Sequence, residues 1–365
     1  MIRELHIKGL NGSNKELNFS FNDDLNLFTG LNGCGKTTIL KLLWFANSGK
    51  ITDYLSEFVF DQLTIKSDKY KMSITNTKKE CKVDLTLISD KKNKDKSLFD
   101  QLKIPFTTDI SFRRREQIME LMNKFNPYSE SSIFFPTFRR IEGGFSMERY
   151  GSLRYRSSRL KDVLSELSQD LSSDDKRHQF VSYVSTDDIS SLVNEEYSKV
   201  VREINDLQTK KFNEIRKRIK EKDKNNPSDI INLIEQEIKI VEKNSAEQMK
   251  PFDILNNLIK KIFHDKGIKM DNIDLGDKNL ISSDKLSAGE KQMLSFLCYN
   301  TFSKNKIIFI DEPELSLHPD WQRLLIPTLL KQGNNNQFFI ATHSPFIYAK
   351  YSDKEIQLDE DKGGM

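Results

Sequence analysis

The chain has 365 residues, with 57 Lys+Arg against 54 Asp+Glu and a net charge of +3 at pH 7; that balance excludes a wholly basic nucleic-acid protein and an acidic disordered one. Even with its 15 Gly the apolar share is only about 41%, against roughly 45–50% for average globular chains, so one part is expected to be polar, exposed helix. No apolar run approaches the ~18 residues of a membrane span, no signal-peptide segment opens the chain, and Cys34, Cys81 and Cys298 have no paired spacing, so a cytoplasmic protein without a membrane partner is expected.

Ile2, Leu5 and Ile7, then Leu17, Phe19 and Phe21, alternate with polar residues and predict two antiparallel strands, with a buried strand at Leu25–Phe28. Thr29 to Thr38 is a Gly-rich turn, and Ile39, Leu40, Leu42, Leu43 and Phe45 predict the helix after it. Short strands follow at Phe60–Ile65, Lys71–Thr75 and Lys82–Ile88, whereas Ser89–Ser97 has no apolar residue and reads as a solvated loop. From about Thr107 to His264 the pattern is helical, broken by a buried strand at Ser132–Phe138. Tyr197, Val201, Ile204, Gln208, Phe212, Ile215 and Ile219 recur at helical spacing until Asn225-Asn226-Pro227 breaks the run. Ile230, Ile231, Ile234, Ile238 and Val241 then start a second helix running back. The result is a helical hairpin over about 188–245, an arm of roughly 45–50 Å. From Lys285 a Gly turn, a helix, the strand Lys306–Ile310, another helix and the strand Gln337–Ala341 follow, with a last short strand at Ile356–Leu358. The expected organisation is a head built from residues 1–106 and 275–365, with the mostly helical segment 107–274 inserted between its halves.

Three motifs carry chemistry. Gly30-Leu31-Asn32-Gly33-Cys34-Gly35-Lys36-Thr37 is G-x-x-x-x-G-K-T between a strand and a helix, the context that marks a phosphate-binding loop. Its backbone N–H groups curl around phosphates at the positive end of the helix. Lys36 would reach the β- and γ-phosphates, Thr37 would bind Mg²⁺, and Asn32, Gly33, Cys34, Gly35 and Thr38 complete the expected ATP-binding residues. The run Ile307–Ile310 ends in Asp311-Glu312: Asp311 is expected to hold Mg²⁺ with Thr37, and Glu312 to act as general base on water. The third motif, Leu286-Ser287-Ala288-Gly289-Glu290, is a Ser-x-Gly turn opening a helix about twenty residues before Asp311.

In this order, with Thr342-His343 ending the next strand, the motifs resemble those of the ATP-binding-cassette superfamily over roughly 1–46 and 275–358. The resemblance implies an α/β fold, a P-loop ATPase head of mixed sheet and helices. It implies His343 at the γ-phosphate, Ser287, Gly289 and Glu290 as nucleotide-binding residues, and Ser287 and Gly289 acting on the partner's ATP. It therefore implies a homodimer closing over two ATP, with higher oligomers open. The wordings Asp311-Glu312-Pro313-Glu314-Leu315-Ser316-Leu317-His318-Pro319 and Ala341-Thr342-His343-Ser344-Pro345 resemble the OLD-like and SMC/RecF-like branch. Phe135-Pro136-Thr137-Phe138-Arg139-Arg140-Ile141-Glu142 is similar to a segment of the ATPases in Septu, retron and PARIS-like anti-phage systems. OLD nucleases carry a Toprim nuclease domain after the ATPase, and 22 residues follow His343 here, so no intrinsic nuclease is expected.

The expected function is a slow, dimeric, nucleotide-switched scaffold or sensor with a separate effector protein, such as a nuclease. The alternative is a DNA-repair or recombination ATPase that itself clamps DNA. Nucleic-acid binding would use Arg113-Arg114-Arg115 or the basic stretch from Arg139 to Lys161, with Arg154 and Arg156. The glutamine that couples nucleotide to the insertion in this superfamily has no clear counterpart. Gln62 and Gln101 are poor candidates, and Arg139 or Arg140 is the substitute.

Overall fold

In the computed structural model the described residues are 1–50, 58–76, 80–88, 96–105, 125, 128–137, 140–141, 166–172, 177–184, 186–221, 227–263 and 286–358. Strands β1 (Ile2–Lys8) and β2 (Glu16–Ser20) pair antiparallel, as their alternation predicts. Beside β1 lie β4 (Gln62–Ser67), β5 (Tyr70–Asn76), β6 (Glu80–Leu87) and β7 (Lys96–Pro105), giving an antiparallel sheet in the order β2-β1-β4-β5-β6-β7. Their apolar residues, Leu5, Ile65, Ile74 and Leu85 among them, turn to one core.

The second sheet decides the architecture. Strand β3 (Leu25–Thr29) lies beside β13 (Gln337–Ala341), which lies beside β12 (Ile307–Asp311), which lies beside β8 (Ser132–Phe135). The outer members are β10 (His178–Phe180) and β14 (Glu355–Gln357), and every pair in the sheet is parallel. A parallel sheet is covered on both faces, so its strands are continuous apolar runs. Phe28, Phe134, Phe309 and Phe339 face the core that holds helix α1 (Lys36–Asn47). Leu27, Ile133, Phe135, Ile308, Ile310 and Ile340 face the other core. The α/β class implied by the motifs is the class observed, with the Gly-rich loop joining β3 to α1.

The long helices are α2 (Thr186–Glu221) and α3 (Pro227–Ile262). Their roots are core: Ile189, Val193, Phe252, Leu255, Leu258 and Ile259 pack with α4 (Ala288–Thr301) and α5 (Pro319–Lys331). Further out, Phe212, Ile231 and Ile238 are exposed, and Lys211 pairs with Glu237 across the hairpin at 3.3 Å. Helix α3 runs past the expected end near 245, through Pro251, because Met249, Phe252, Leu255, Ile259 and Ile262 continue its apolar stripe onto the head.

Strand β7 is a correction: Lys96 and Ser97 begin a strand, although the sequence reads them as the end of a solvated loop. Two-residue strands β9 (Arg140–Ile141) and β11 (Tyr183–Val184), which pair in parallel, are also new. Both are too short to show a period. The expected basic patches, Arg113–Arg115 and the stretch to Lys161 with Arg139, Arg154 and Arg156, lie outside the described residues apart from the backbone of β9. Gln62 and Gln101 both belong to the antiparallel sheet. Among the described residues no helix is long and apolar enough to cross a membrane.

Candidate active site

Because β3, β13, β12 and β8 are parallel neighbours, the loops leaving their C-terminal ends open at one edge of the sheet. Open α/β sheets bind ligands at such edges. The loop after β3 holds Gly33 and Gly35 at φ of 82° and 99°, a left-handed backbone that strains any residue with a Cβ. A Cβ at either position would meet open space, so the backbone conformation, and not crowding, demands glycine there.

Lys36 opens α1 at 5% exposure. Its Nζ donates to the carbonyls of Gly30 and Leu31 at 3.0 and 3.1 Å and lies 3.6 Å from Cys34 Sγ. The ammonium is therefore curled over its own loop. The next hydroxyl, Thr37 Oγ1, donates to Asp311 Oδ1 at 3.0 Å. The other oxygen of that carboxylate accepts a bond from Thr137 Oγ1, in the turn after β8. Hydroxyl and carboxylate oxygens are the donors a hard cation such as Mg²⁺ takes, so Thr37 and Asp311 fit that group. An open cavity of about 730 Å³ adjoins the loop, lined by Lys15, Asn32, Gly33, Cys34, His343 and Tyr348 among others, within the range of small-molecule sites. Thr38 is half-buried on the first turn of α1.

Glu312 follows Asp311 at φ of 48°, and its amide donates to Ala341 O at 2.9 Å. Its Oε1 lies 3.8 Å from His343 Nε2. Burial, then the neighbouring Asp311 and Glu314 carboxylates, push its carboxyl above the usual glutamate range, against the pull of His343 and Lys36. That direction suits a group that must accept a proton near neutral pH.

Glu314 has a different task. Its carboxylate accepts from Thr342 Oγ1 at 2.8 Å and from the His343 amide at 2.5 Å, tying the loop after β12 to the loop after β13. The sequence motifs assign Glu314 no role. Its spacing of two from Glu312 was the available signal. Thr137 also went unassigned, although it follows a buried strand as Asp311 does.

The Ser287 turn is a complete capping box: Ser287 Oγ accepts from the Glu290 amide at 3.3 Å, and Glu290 Oε2 accepts from the Ser287 amide at 2.6 Å. Gly289 stands where a Cβ would come within 2.3 Å of the Ser316 carbonyl oxygen. Three residues on, Gln292 Nε2 donates to Pro313 O at 2.8 Å. So Lys36, Thr37, Asp311, Glu312 and His343 meet at one edge, while Gly289 and Gln292 seat the helix opened by the Ser287–Glu290 capping box against the loop that follows Asp311.

A family model described as an AAA ATPase domain matches residues 1–348. The "Retron Ec83 probable ATPase" of Escherichia coli is 35% identical over 97 residues, 22% of this chain and 18% of that protein. The "Endonuclease GajA" of Bacillus cereus (strain VD045) is 41% identical over 63 residues, 16% of this chain and 11% of that protein. The chain thus matches less than a fifth of the length of these relatives. Among solved structures, the Smc head domain of Pyrococcus furiosus, with an extended coiled coil and bound to the C-terminal domain of ScpA, aligns over 95% of this chain and 91% of its own, at 14% identity and a TM-score of 0.38. The family and the retron relative agree with the resemblance drawn from the motifs.

Proposed function

The chain belongs to the AAA ATPase domain family, and from that premise we propose that it binds ATP with Mg²⁺ at the loop after β3 and hydrolyses it slowly. The observation that carries this reading is the meeting of Lys36, Thr37, Asp311, Glu312 and His343 at one edge of the parallel sheet. Thr37 and Asp311 would hold Mg²⁺, which supplies positive charge beside the phosphates when bound. Lys36 exchanges the Gly30 and Leu31 carbonyls for phosphate oxygens, and His343 donates to the γ-phosphate. Glu312 accepts the proton of the attacking water and orients it.

The working unit in this reading is a homodimer. Ser287 and Gly289 of one protomer cap the ATP held by Lys36 of its partner. The head comes from about 1–106 and 275–365, with β8 and β10 built into its sheet from the segment 107–274. Similarity to a retron ATPase supports a role in anti-phage defence beside a separate effector protein, and the exposed Phe212, Ile231 and Ile238 of the hairpin offer a surface for it.

Mixing tests the dimer. Lys36→Ala and Ser287→Arg chains should each be inactive, and together they should recover part of the ATPase rate through the one composite site with both native residues. A wild-type rate for Ser287→Arg alone would refute a signature acting on the partner's nucleotide.

A further inference from the structure

Thr137 sits where three structural features converge. It leaves β8, whose neighbour in the sheet is β12, with Phe135 opposite Ile310. Its hydroxyl bonds Asp311 Oδ2 while Thr37 bonds Oδ1, so the carboxylate is gripped from both sides by residues far apart in sequence. Three residues later comes β9, paired with β11, and β11 ends two residues before α2 begins. Both β9 and β11 also pack against α4, the helix opened by Ser287. Among the described residues, elements close in sequence to Thr137 thus reach both the root of the hairpin and the helix opened by Ser287.

We propose that Thr137 is a positioning residue that sets the Asp311 carboxylate for the metal-bound nucleotide and makes the turn after β8 the link from that site to the hairpin and α4. A carboxylate has two oxygens, and each can serve a hydroxyl or a cation. Were Asp311 to turn an oxygen to the cation, directly or through its water, the carboxylate would shift against the bonds from Thr37 and Thr137. Thr37 is anchored in α1, so the freer adjustment falls on Thr137 and on the strand pair beyond it. This role stands where the sequence offered Arg139 or Arg140, and it needs a hydroxyl, not a cation or an amide. The inference rests on the nucleotide-binding reading above, and its test keeps the two apart.

Binding of a non-hydrolysable ATP analogue should be measured with Mg²⁺ and with EDTA for the wild type, Thr137→Val and Thr137→Ser. Second-sphere partners of metal-holding groups alter metal affinity by about 10–100-fold. Thr137→Val should therefore weaken Mg²⁺-dependent binding about tenfold or more, leave binding in EDTA unchanged, and keep the melting temperature of the nucleotide-free chain. Thr137→Ser, which retains the hydroxyl, should bind as wild type. Amide hydrogen exchange at 140–141 and 183–184 should respond to Mg-nucleotide in the wild type and not in Thr137→Val. Equal affinities for Val and wild type, or an equal loss with and without Mg²⁺, would overturn the proposal. A wild-type chain with no Mg²⁺-enhanced binding would instead overturn the metal assignment on which it rests.

Discussion

Glu312 is held on a left-handed backbone, at φ of 48°, which costs a non-glycine residue about 1–2 kcal/mol. The bond from its amide to Ala341 O keeps it there and aims its carboxylate toward His343. Because burial, Asp311 and Glu314 raise its pKa, the ATPase should be active above that pKa and lose activity as pH falls through it. The acid limb of the kcat/KM profile, which reports the free enzyme, should thus lie above the ordinary glutamate range. Glu314→Gln removes one of the raising charges and should move that limb to lower pH. Glu312→Gln should bind ATP but lower turnover by a factor of about 10² or more, since the amide takes no proton. An unshifted acid limb in Glu314→Gln, or wild-type turnover in Glu312→Gln, would show that the base is another group.

At the scale of elements, the helix opened by Ser287 is fastened to the loop after β12 of its own chain. Gly289 lets α4 approach the Ser316 carbonyl, and Gln292 holds Pro313 O. Gly289→Ala would force the two elements apart, an overpacking cost of about 1–3 kcal/mol. The nucleotide-free chain should melt at lower temperature and its ATPase rate should fall. A glycine needed only to approach the partner's phosphate would leave the unliganded melting temperature unchanged, so calorimetry separates the two roles. Legibility also varies by element. The strands β3, β8, β12 and β13 were readable because burial on both faces makes each an unbroken apolar run. Strand β7 was not, since Leu98, Phe99, Leu102 and Ile104 keep no strict alternation and its pairing with β6 shifts register near Val83 and Leu85. A chain irregularity of that kind erases the period of two.

The whole molecule joins a head to a hairpin whose inner and outer parts differ in environment. Leu255 is fully buried at the root and Phe212 is 60% exposed further out. Leu255→Ala should cost about 2–5 kcal/mol. Replacing residues 205–243 with a four-residue Gly/Ser turn should spare both stability and ATP binding, because the Lys211–Glu237 pair brings the two cut ends to about the same level. Chemical denaturation of both variants checks this, and a shortened chain as unstable as Leu255→Ala would make the outer hairpin part of the core.

By itself the sequence determined the Gly-rich loop between a strand and a helix, the buried strands and the hairpin, because each depends on neighbours in the chain: glycines at fixed offsets, apolar runs, a 3.6-residue period. It also determined that a buried strand ends at Asp311, with Glu312 next in the chain. Only the tertiary structure decided that β8 lies next to β12, and with that the bond between Thr137 and Asp311, 174 residues apart. The grip of Glu314 on the His343 loop and the seat of Gly289 on Ser316 were decided the same way. Strand order sets which loops share an edge, and parallel strands with the same apolar pattern can be ordered in many ways. Only the packing of both sheet faces against α1, α4 and α5 selects one order, and that selection depends on the whole chain at once.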